Sequence, residues 1–351
     1  MDAGSRPAEF YKERLSPTRY WARSLFLNAI YHETPVLAWL QECFKNTIMD
    51  VYFGYTANIG THTFYMLMLP LFFWYDNIEL GYDIVWVLAL GVSFSGIVKD
   101  YMCLPRPRAP PVHRISMSKS AAKEYGLPST HSCNSLSVVL VFYDYYPTNK
   151  VVDICCKWLV LTLVSGRLYT GMHGSTDIIT GGILGYFSYW VLTIIRSFIT
   201  RESFSHNAIV TVALLYLIKL NPRPLENCPC FQDTVAFIGV VIGMMWTLWL
   251  DNLEVRSIRP LDFYNMPLIQ YMYISFMRFL TGVSIIVTWR VLSRQWSNTL
   301  GMWITNGISR TNPNPKEVSV PVAIFIRIGI YAGIGIMVLE CSPILINLFG
   351  F

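Results

Sequence analysis

Three groups of polar residues in the first half of the chain have the residue types and spacing of a site that handles phosphate. The first group ends one apolar segment, the second begins the next, and the third lies where the chain returns to the same side. The residues are, in order, Lys99 and Arg106; Ser129, Thr130 and His131; and Arg167, His173 and Asp177. Ionisable side chains at the ends of membrane segments are costly to bury without partners, which makes them functional candidates. We therefore predict one site built from the ends of three segments.

The positive charges in this set suit a phosphoryl group. Lys99, Arg106 and Arg167 supply three cations, and the charge of a phosphoryl group in transfer spreads over its equatorial oxygens. The planar guanidinium of arginine can donate to two oxygens at once. The Ser129 hydroxyl and the backbone N–H groups of Ser129 and Thr130 add donors at a helix start, where the helix dipole favours an anion. We predict that these five residues bind phosphate.

The two histidines and the aspartate have the types needed for catalysis. His173 and Asp177 stand four residues apart, hence on one face of a helical turn. The carboxylate can hold one ring nitrogen protonated and leave a lone pair on the other, which can attack phosphorus. His131 is free to protonate the leaving alcohol as a general acid. Alone, the His173–Asp177 pair could equally be a structural hydrogen bond or a pair of metal ligands. No cluster of carboxylates accompanies it, so we expect neither a metal ion nor another cofactor.

The segments that carry these residues are predicted to be membrane helices. Charged residues make up 14% of the 351 residues and hydrophobic residues 53%, whereas a soluble domain usually carries about 25% charged residues. The apolar residues also form long blocks, as membrane spans do. Spans are predicted at about 60–76, 81–98, 132–146, 151–166, 178–199, 207–220, 233–250, 271–290 and 321–348. We expect an all-α polytopic membrane protein with about nine transmembrane helices, eight or ten being also compatible.

Three segments follow from this pattern. Residues 1–58 mix basic residues, aromatics and short apolar stretches, which predicts a cytosolic or interfacial segment with helices on the membrane surface. Residues 59–200 are predicted to form the catalytic core, and residues 201–351 to add further transmembrane helices of unassigned role. The start of the chain is polar, so no cleaved signal peptide is expected.

The residue pattern argues against nucleic-acid binding and against a zinc site. No run of basic residues is interleaved with exposed aromatics, so nucleic-acid binding is not expected. The eight cysteines lack the spacing of a zinc site, and a bond between Cys228 and Cys230 would be strained, so we expect free thiols. The sequence predicts no oligomeric state.

The three groups together resemble the signature of the type-2 phosphatidic acid phosphatase superfamily. That signature is Lys, six residues, Arg-Pro; then Pro-Ser-x-His; then Ser-Arg, five residues, His, three residues, Asp. The chain departs from it at one position, where Gly166 replaces the serine and Ser165 stands one place earlier. The resemblance implies a six-helix phosphatase core and metal-independent hydrolysis of a lipid phosphate through a phosphohistidine.

Residues around the motifs are similar to those of sphingosine-1-phosphate phosphatases, including the fungal type. The similarity lies in 98–107, in the Pro110-Pro111 pair, in Thr130 and in 167–173. It implies a long-chain sphingoid base 1-phosphate as substrate, taken from the membrane. It also implies an endoplasmic reticulum location with the site facing the lumen.

Other functions remain open at this point. The same site could serve phosphatidic acid or glucose 6-phosphate. A non-enzymatic anion-binding membrane protein would need the cations but not His131 and His173. For a sphingoid substrate, Asp100 is the first candidate to pair with the ammonium, the alternative being a partner for a loop arginine.

The predicted topology contains a conflict. Nine spans place the N-terminus on the same face as the site, so a luminal site would make the basic N-terminus luminal, against the positive-inside rule. A membrane pass within residues 36–57 would remove the conflict.

Overall fold

The computed structural model describes residues 2–75, 77–117, 123–198, 203–250, 258, 261, 265–308 and 318–351. Within these ranges every regular element is a helix. The prediction of an all-α fold is therefore confirmed.

Helices follow one another from α1 to α13, with short turns between most of them. Their bounds are α1 Ala8–Arg14, α2 Pro17–Phe44, α3 Thr47–Thr56, α4 His62–Trp74, α5 Ile78–Met102, α6 Thr130–Tyr145, α7 Lys150–Tyr169, α8 Ser175–Phe198, α9 Phe204–Leu220, α10 Cys230–Leu250, α11 Leu268–Ile308, α12 Val320–Ile336 and α13 Ser342–Leu348. A 3₁₀-helix at Ala57–Gly60 follows α3, and a π-helical turn at Met337–Cys341 joins α12 to α13.

The chain is a multi-pass membrane protein. Five of the described helical segments are long and apolar enough to cross a bilayer: α5, α8, α10, α11 and the continuous stretch Val320–Leu348. The shorter helices α4 and α9 are also apolar. Each predicted span overlaps a helix, and the number of crossings stays a prediction. Helix α11 has 41 residues, roughly 60 Å at ~1.5 Å per residue, so it extends well beyond the predicted span at 271–290.

The described chain clusters into two compact units. The first comprises Met1–Tyr65, Trp86–Ser197 and Tyr216–Thr234, and the second comprises Met66–Val85, Phe198–Leu215 and Val235–Phe351. All of the predicted site residues lie in the first unit. In the second, α10 and α12 approach closely, because a side chain at Gly243 would overlap the backbone of Ala332. The indole nitrogen of Trp289 on α11 donates to the carbonyl of Ile330, at 2.9 Å.

Within the first unit, Glu226 holds the start of the chain. One oxygen of its carboxylate accepts from the backbone N–H of Gly4 at 2.7 Å and from the Tyr11 hydroxyl at 2.8 Å. The other oxygen lies 3.3 Å from the Arg6 guanidinium. The segment before α2 is thereby anchored to residues more than 200 positions away along the chain.

Helix α2 is also bonded to the loops that carry the predicted site. The side-chain amide of Gln41 donates to the carbonyl oxygens of His113, at 2.6 Å, and Tyr169, at 2.7 Å, and accepts from the His113 N–H at 2.8 Å. Arg23 donates to the carbonyl of Cys103. The long loop after α5 and the end of α7 are thus both fixed to α2. The division at residue 58 stays a prediction.

Candidate active site

The three predicted groups come together in the first unit. The Arg106 guanidinium from the first group contacts the His173 ring from the third, with 3.2 Å between Nη1 and Nε2. His131 from the second group and Arg167 from the third both lie against the carbonyl oxygen of Ala57, at 3.3 Å and 3.4 Å. Residues from three segments therefore surround one small volume.

The end of α5 delivers the two cations of the first group. Lys99 lies in the last turn of the helix, which ends at Met102. Cys103 then adopts a left-handed conformation, with φ of 51°, and turns the chain toward Arg106. Both cationic side chains are about 4% exposed, so they are held in a nearly closed environment where a charge interacts strongly with an anion.

The end of α7 positions His173. Gly171 has φ of +64°, a left-handed conformation that glycine adopts without steric cost. This bend lets the backbone N–H groups of Met172 and His173 both bond to the carbonyl of Arg167, at 3.1 Å and 3.3 Å. A helix that ends in this way satisfies its last carbonyls. The local fold thus sets His173 directly above the turn that carries Arg167.

His173 and Asp177 form the predicted pair. His173 Nδ1 lies 3.3 Å from Asp177 Oδ2, which also accepts from the Gly174 N–H at 3.1 Å. On the other side of the ring, the Arg106 guanidinium can only donate a hydrogen bond. Nε2 is therefore the acceptor, and Nδ1 carries the proton donated to Asp177. The lone pair that could attack phosphorus is on Nε2.

The surroundings keep this imidazole neutral. Burial lowers the pKa of His173 well below its usual 6.5, and the positive charges of Arg106, Lys99 and Arg167 lower it further. Burial and neighbouring cations both disfavour the protonated form. A neutral ring is the form with a lone pair for attack.

The Ser129 and Thr130 side chains have other partners in this structure. Ser129 caps α6, and its hydroxyl oxygen accepts from the N–H of Ser132 at 3.3 Å. The Ser129 N–H donates to the carbonyl of Asp177 at 2.9 Å. The Thr130 hydroxyl donates to Ser95, at 3.3 Å. These bonds tie the start of α6 to α8 and α5, and a contact with phosphate stays a prediction for both residues.

The glycine at position 166 makes room for α3. A side chain there would meet the ring of Phe53 at 2.9 Å, and that ring packs against Tyr169 with centroids 4.9 Å apart. The hydroxyl of neighbouring Ser165 donates to the carbonyl of Leu161, one turn back in its own helix. The departure from the family pattern therefore has a packing reason, and the Ser165 hydroxyl has a partner within its own helix.

Three residues at the site were not predicted from the sequence. Glu124 lies between Lys99 and Arg106, with one carboxylate oxygen 3.5 Å and 3.2 Å from their nitrogens. Ala57 contributes only its carbonyl oxygen, and Glu33 accepts from the N–H of Thr176 at 3.1 Å. Glu124 could have been noticed as an acid in a basic loop. The other two act through contacts that leave no local pattern.

One group of potential metal ligands occurs among the described residues: Asp100, Cys228 and Cys230, whose ligand atoms lie within 4.8 Å of one another. The hydrogen bond with Cys230 and the nearby Lys99 lower the pKa of the Cys228 thiol to about 7. The Lys99 ammonium repels any cation placed beside these thiols. The group therefore fits a metal ion poorly. All eight cysteines are free thiols in this structure.

Comparison with known proteins gives consistent matches. The model of the PAP2 superfamily matches residues 81–201, a range that contains the predicted site residues. A dihydrosphingosine 1-phosphate phosphatase of Saccharomyces cerevisiae is 34% identical over 85% of this chain and 76% of its own length. A dihydrosphingosine 1-phosphate phosphatase of Schizosaccharomyces pombe is 36% identical over 82% of this chain and 71% of its own. Human sphingosine-1-phosphate phosphatase 2 is 24% identical over 87% and 79%. No solved structure matches the chain.

Proposed function

Because the chain belongs to the PAP2 superfamily of phosphatases, we propose that it hydrolyses sphingoid long-chain base 1-phosphates to the free base and inorganic phosphate. The observation that carries the proposal is the geometry of the His173 ring, which contacts Asp177 through one nitrogen and Arg106 through the other. The names of the fungal relatives, which are dihydrosphingosine 1-phosphate phosphatases, support this substrate class.

In the first step, Lys99, Arg106 and Arg167 bind the phosphoryl oxygens, and His173 Nε2 attacks phosphorus in line with the ester oxygen. The P–O ester bond breaks as the N–P bond forms. His131 enters this step protonated, although burial and the charges of Arg167 and Lys99 lower its pKa. It gives its proton to the departing alcohol oxygen, which leaves as the free sphingoid base. Asp177 holds the Nδ1 proton and stabilises the charge that develops on the ring.

In the second step, water attacks the phosphohistidine. His131, now neutral, accepts a proton from this water, the N–P bond breaks and inorganic phosphate leaves. The three side-chain cations supply the charge stabilisation at both steps, and Ser129 and Thr130 are proposed to add neutral donors. The same proposal assigns no metal ion or other cofactor to the reaction.

We infer a location in the endoplasmic reticulum membrane with the site facing the lumen, from the resemblance of the motif residues to sphingosine-1-phosphate phosphatases. Protease-protection mapping of both termini in intact microsomes tests this topology. Cleavage of the loop at 108–117 without permeabilisation would place the site on the cytosolic face.

The catalytic proposal is tested with the purified full-length protein and ³²P-labelled dihydrosphingosine 1-phosphate. Wild type should release phosphate and, after rapid quenching, carry an acid-labile, base-stable label that is absent from His173→Ala. The kcat/KM of the wild type should be much higher for dihydrosphingosine 1-phosphate than for phosphatidic acid, and turnover of glucose 6-phosphate should be negligible. Equal kcat/KM values for the two lipids would make it a general lipid phosphatase. An unlabelled wild type with full activity would exclude the phosphohistidine.

A further inference from the structure

Glu124 forms ion pairs with Lys99 and Arg106, two of the cations that are proposed to bind the substrate phosphate. Its Oε2 atom lies 3.5 Å from Lys99 Nζ and 3.2 Å from Arg106 Nη2, and Arg106 Nη1 in turn contacts His173. The two cationic side chains are about 4% exposed, whereas the Glu124 side chain is 31% exposed. The carboxylate thus lies at the more exposed edge of this group of charges.

A phosphate group and this carboxylate cannot both keep these contacts. Each is an anion, and each requires the same nitrogens of Lys99 and Arg106. Like charges at contact distance repel strongly where solvent is scarce. Phosphate binding therefore turns Glu124 away from the two cations. The displaced carboxylate loses its ion pairs with Lys99 and Arg106, and a cation that arrives beside the phosphate can replace them.

The proposed substrate brings such a cation. A sphingoid base 1-phosphate carries an ammonium on the carbon next to the one that bears the phosphate ester, so its positive charge enters beside its phosphate. We propose that Glu124 forms an ammonium subsite, in which the carboxylate exchanges its ion pairs with Lys99 and Arg106 for one with the substrate ammonium. This inference rests on the proposed function and adds a residue that selects amine-bearing phosphates.

Two other nearby acids are poorly placed for this role. The Asp100 side chain is fully buried, and its carboxylate lies within 4.8 Å of the Cys228 and Cys230 thiols, with no exposed edge to meet a ligand. Glu33 is bonded to the N–H and hydroxyl of Thr176 at the start of α8. Glu124 combines direct contact with the phosphate-binding cations and exposure to an incoming group.

The experiment compares two substrates that differ only in the amine. Purified full-length protein is assayed with dihydrosphingosine 1-phosphate and with 3-hydroxyoctadecyl 1-phosphate, in which hydrogen replaces the amine. Wild type should favour the amine-bearing substrate in kcat/KM. Glu124→Gln should lower kcat/KM for that substrate about tenfold and leave the deamino substrate unchanged or faster, since a competing anion has been removed. Glu13→Gln, at an exposed glutamate of α1, is the matched charge control and should behave as wild type.

Each contrary result has a distinct meaning. A wild type that does not discriminate between the two substrates excludes an ammonium subsite without any variant. An equal fall for both substrates in Glu124→Gln makes Glu124 a positioning residue, and an equal rise makes it only a competitor of phosphate. Glu124→Asp, which keeps the charge, should retain part of the preference for the amine-bearing substrate. If this variant elutes as a monodisperse, folded protein and shows no such preference, the subsite is also overturned. If wild type hydrolyses neither lipid, the proposed function itself fails.

Discussion

The Nη1 atom of Arg106 lies 3.2 Å from Nε2 of His173, the ring nitrogen that faces away from Asp177. A guanidinium covers the lone pair that the proposed mechanism uses for attack. Because Arg106 also belongs to the predicted phosphate-binding set, an arriving phosphoryl group would draw the guanidinium toward its oxygens and uncover the nucleophile. Binding and activation would then depend on one side chain.

Arg106→Lys should lower kcat/KM for dihydrosphingosine 1-phosphate about a hundredfold, comparable to the loss of one preorganised donor to the transition state. Lysine keeps the charge but cannot bind two oxygens in one plane. The matched control is Arg108→Lys, at an exposed arginine that stacks on Tyr31 and should retain wild-type kinetics. Equal losses in the two variants would show a general charge effect and contradict the two-oxygen contact.

His131→Ala should separate the two chemical steps. With the lipid substrate, the alcohol leaves poorly without a proton, so kcat should fall roughly 10²- to 10⁴-fold. With para-nitrophenyl phosphate, the phenolate leaves without a proton, and rapid mixing should show a burst of nitrophenolate equal to the enzyme concentration. The steady state that follows should be slow, since water then lacks its base. Absence of a burst, with similar losses for both substrates, would argue against the general acid.

The acid limb of kcat/KM, corrected for ionisation of the substrate, should lie below pH 6.5. Burial and the neighbouring cations lower the pKa of His173, which means that the ring stays neutral at pH values where a free imidazole is half protonated. Arg167→Gln removes one of these cations, so its acid limb should move upward, toward 6.5. If kcat/KM of the wild type already falls at or above pH 6.5, the lowered pKa of His173 is contradicted.

Activity should persist in EDTA, because three side-chain cations carry the charge stabilisation in the proposed mechanism. Vanadate, which mimics the pentacoordinate phosphoryl group, should inhibit. Cys228→Ser should respond to EDTA as wild type does, since the thiols beside Lys99 are not expected to hold a metal. Loss of activity in EDTA with recovery on adding a divalent ion would overturn the metal-free assignment.

Gly166→Ser, which restores the family pattern, should destabilise this protein by about 1–3 kcal/mol, a typical effect of overpacking. The added side chain meets the Phe53 ring, so thermal unfolding in detergent should occur at a lower temperature. Phe53→Ala in the same chain should remove most of the additional loss caused by the serine. Ser165→Ala serves as control. A Gly166→Ser variant as stable as wild type would mean that α3 moves aside without cost.

The sequence predicts the convergence of the three motifs because each lies at the end of an apolar segment, and hydrophobic length alone brings those ends to one membrane face. It does not predict the partners of Ser129, whose hydroxyl oxygen caps α6, because a cap and a phosphate ligand have the same local pattern. Nor does it predict Glu124 as a partner of Lys99. That pairing depends on how the loop after α5 folds back.

The length of a helix is also hard to predict from hydrophobicity alone. The predicted span at 271–290 follows the most apolar stretch, but α11 continues to Ile308 because a helix does not end where hydrophobicity falls. Its continuation contains no proline, and the two glycines in it, Gly301 and Gly307, weaken the helix by only about 1 kcal/mol each. The packing of Gly166 against Phe53 could not be predicted from the sequence either, since the two residues are more than 100 positions apart.

The anchoring of Gly4, Arg6 and Tyr11 by Glu226 has a consequence for biosynthesis. Residues 4–11 emerge from the ribosome before Glu226, which emerges only after α9 has been made. Until then Tyr11 and its neighbours lack that partner, and α2 cannot have its final support from the segment before it. The first unit can therefore be completed only late in synthesis, when Gly4, Arg6 and Tyr11 bind the newly made Glu226.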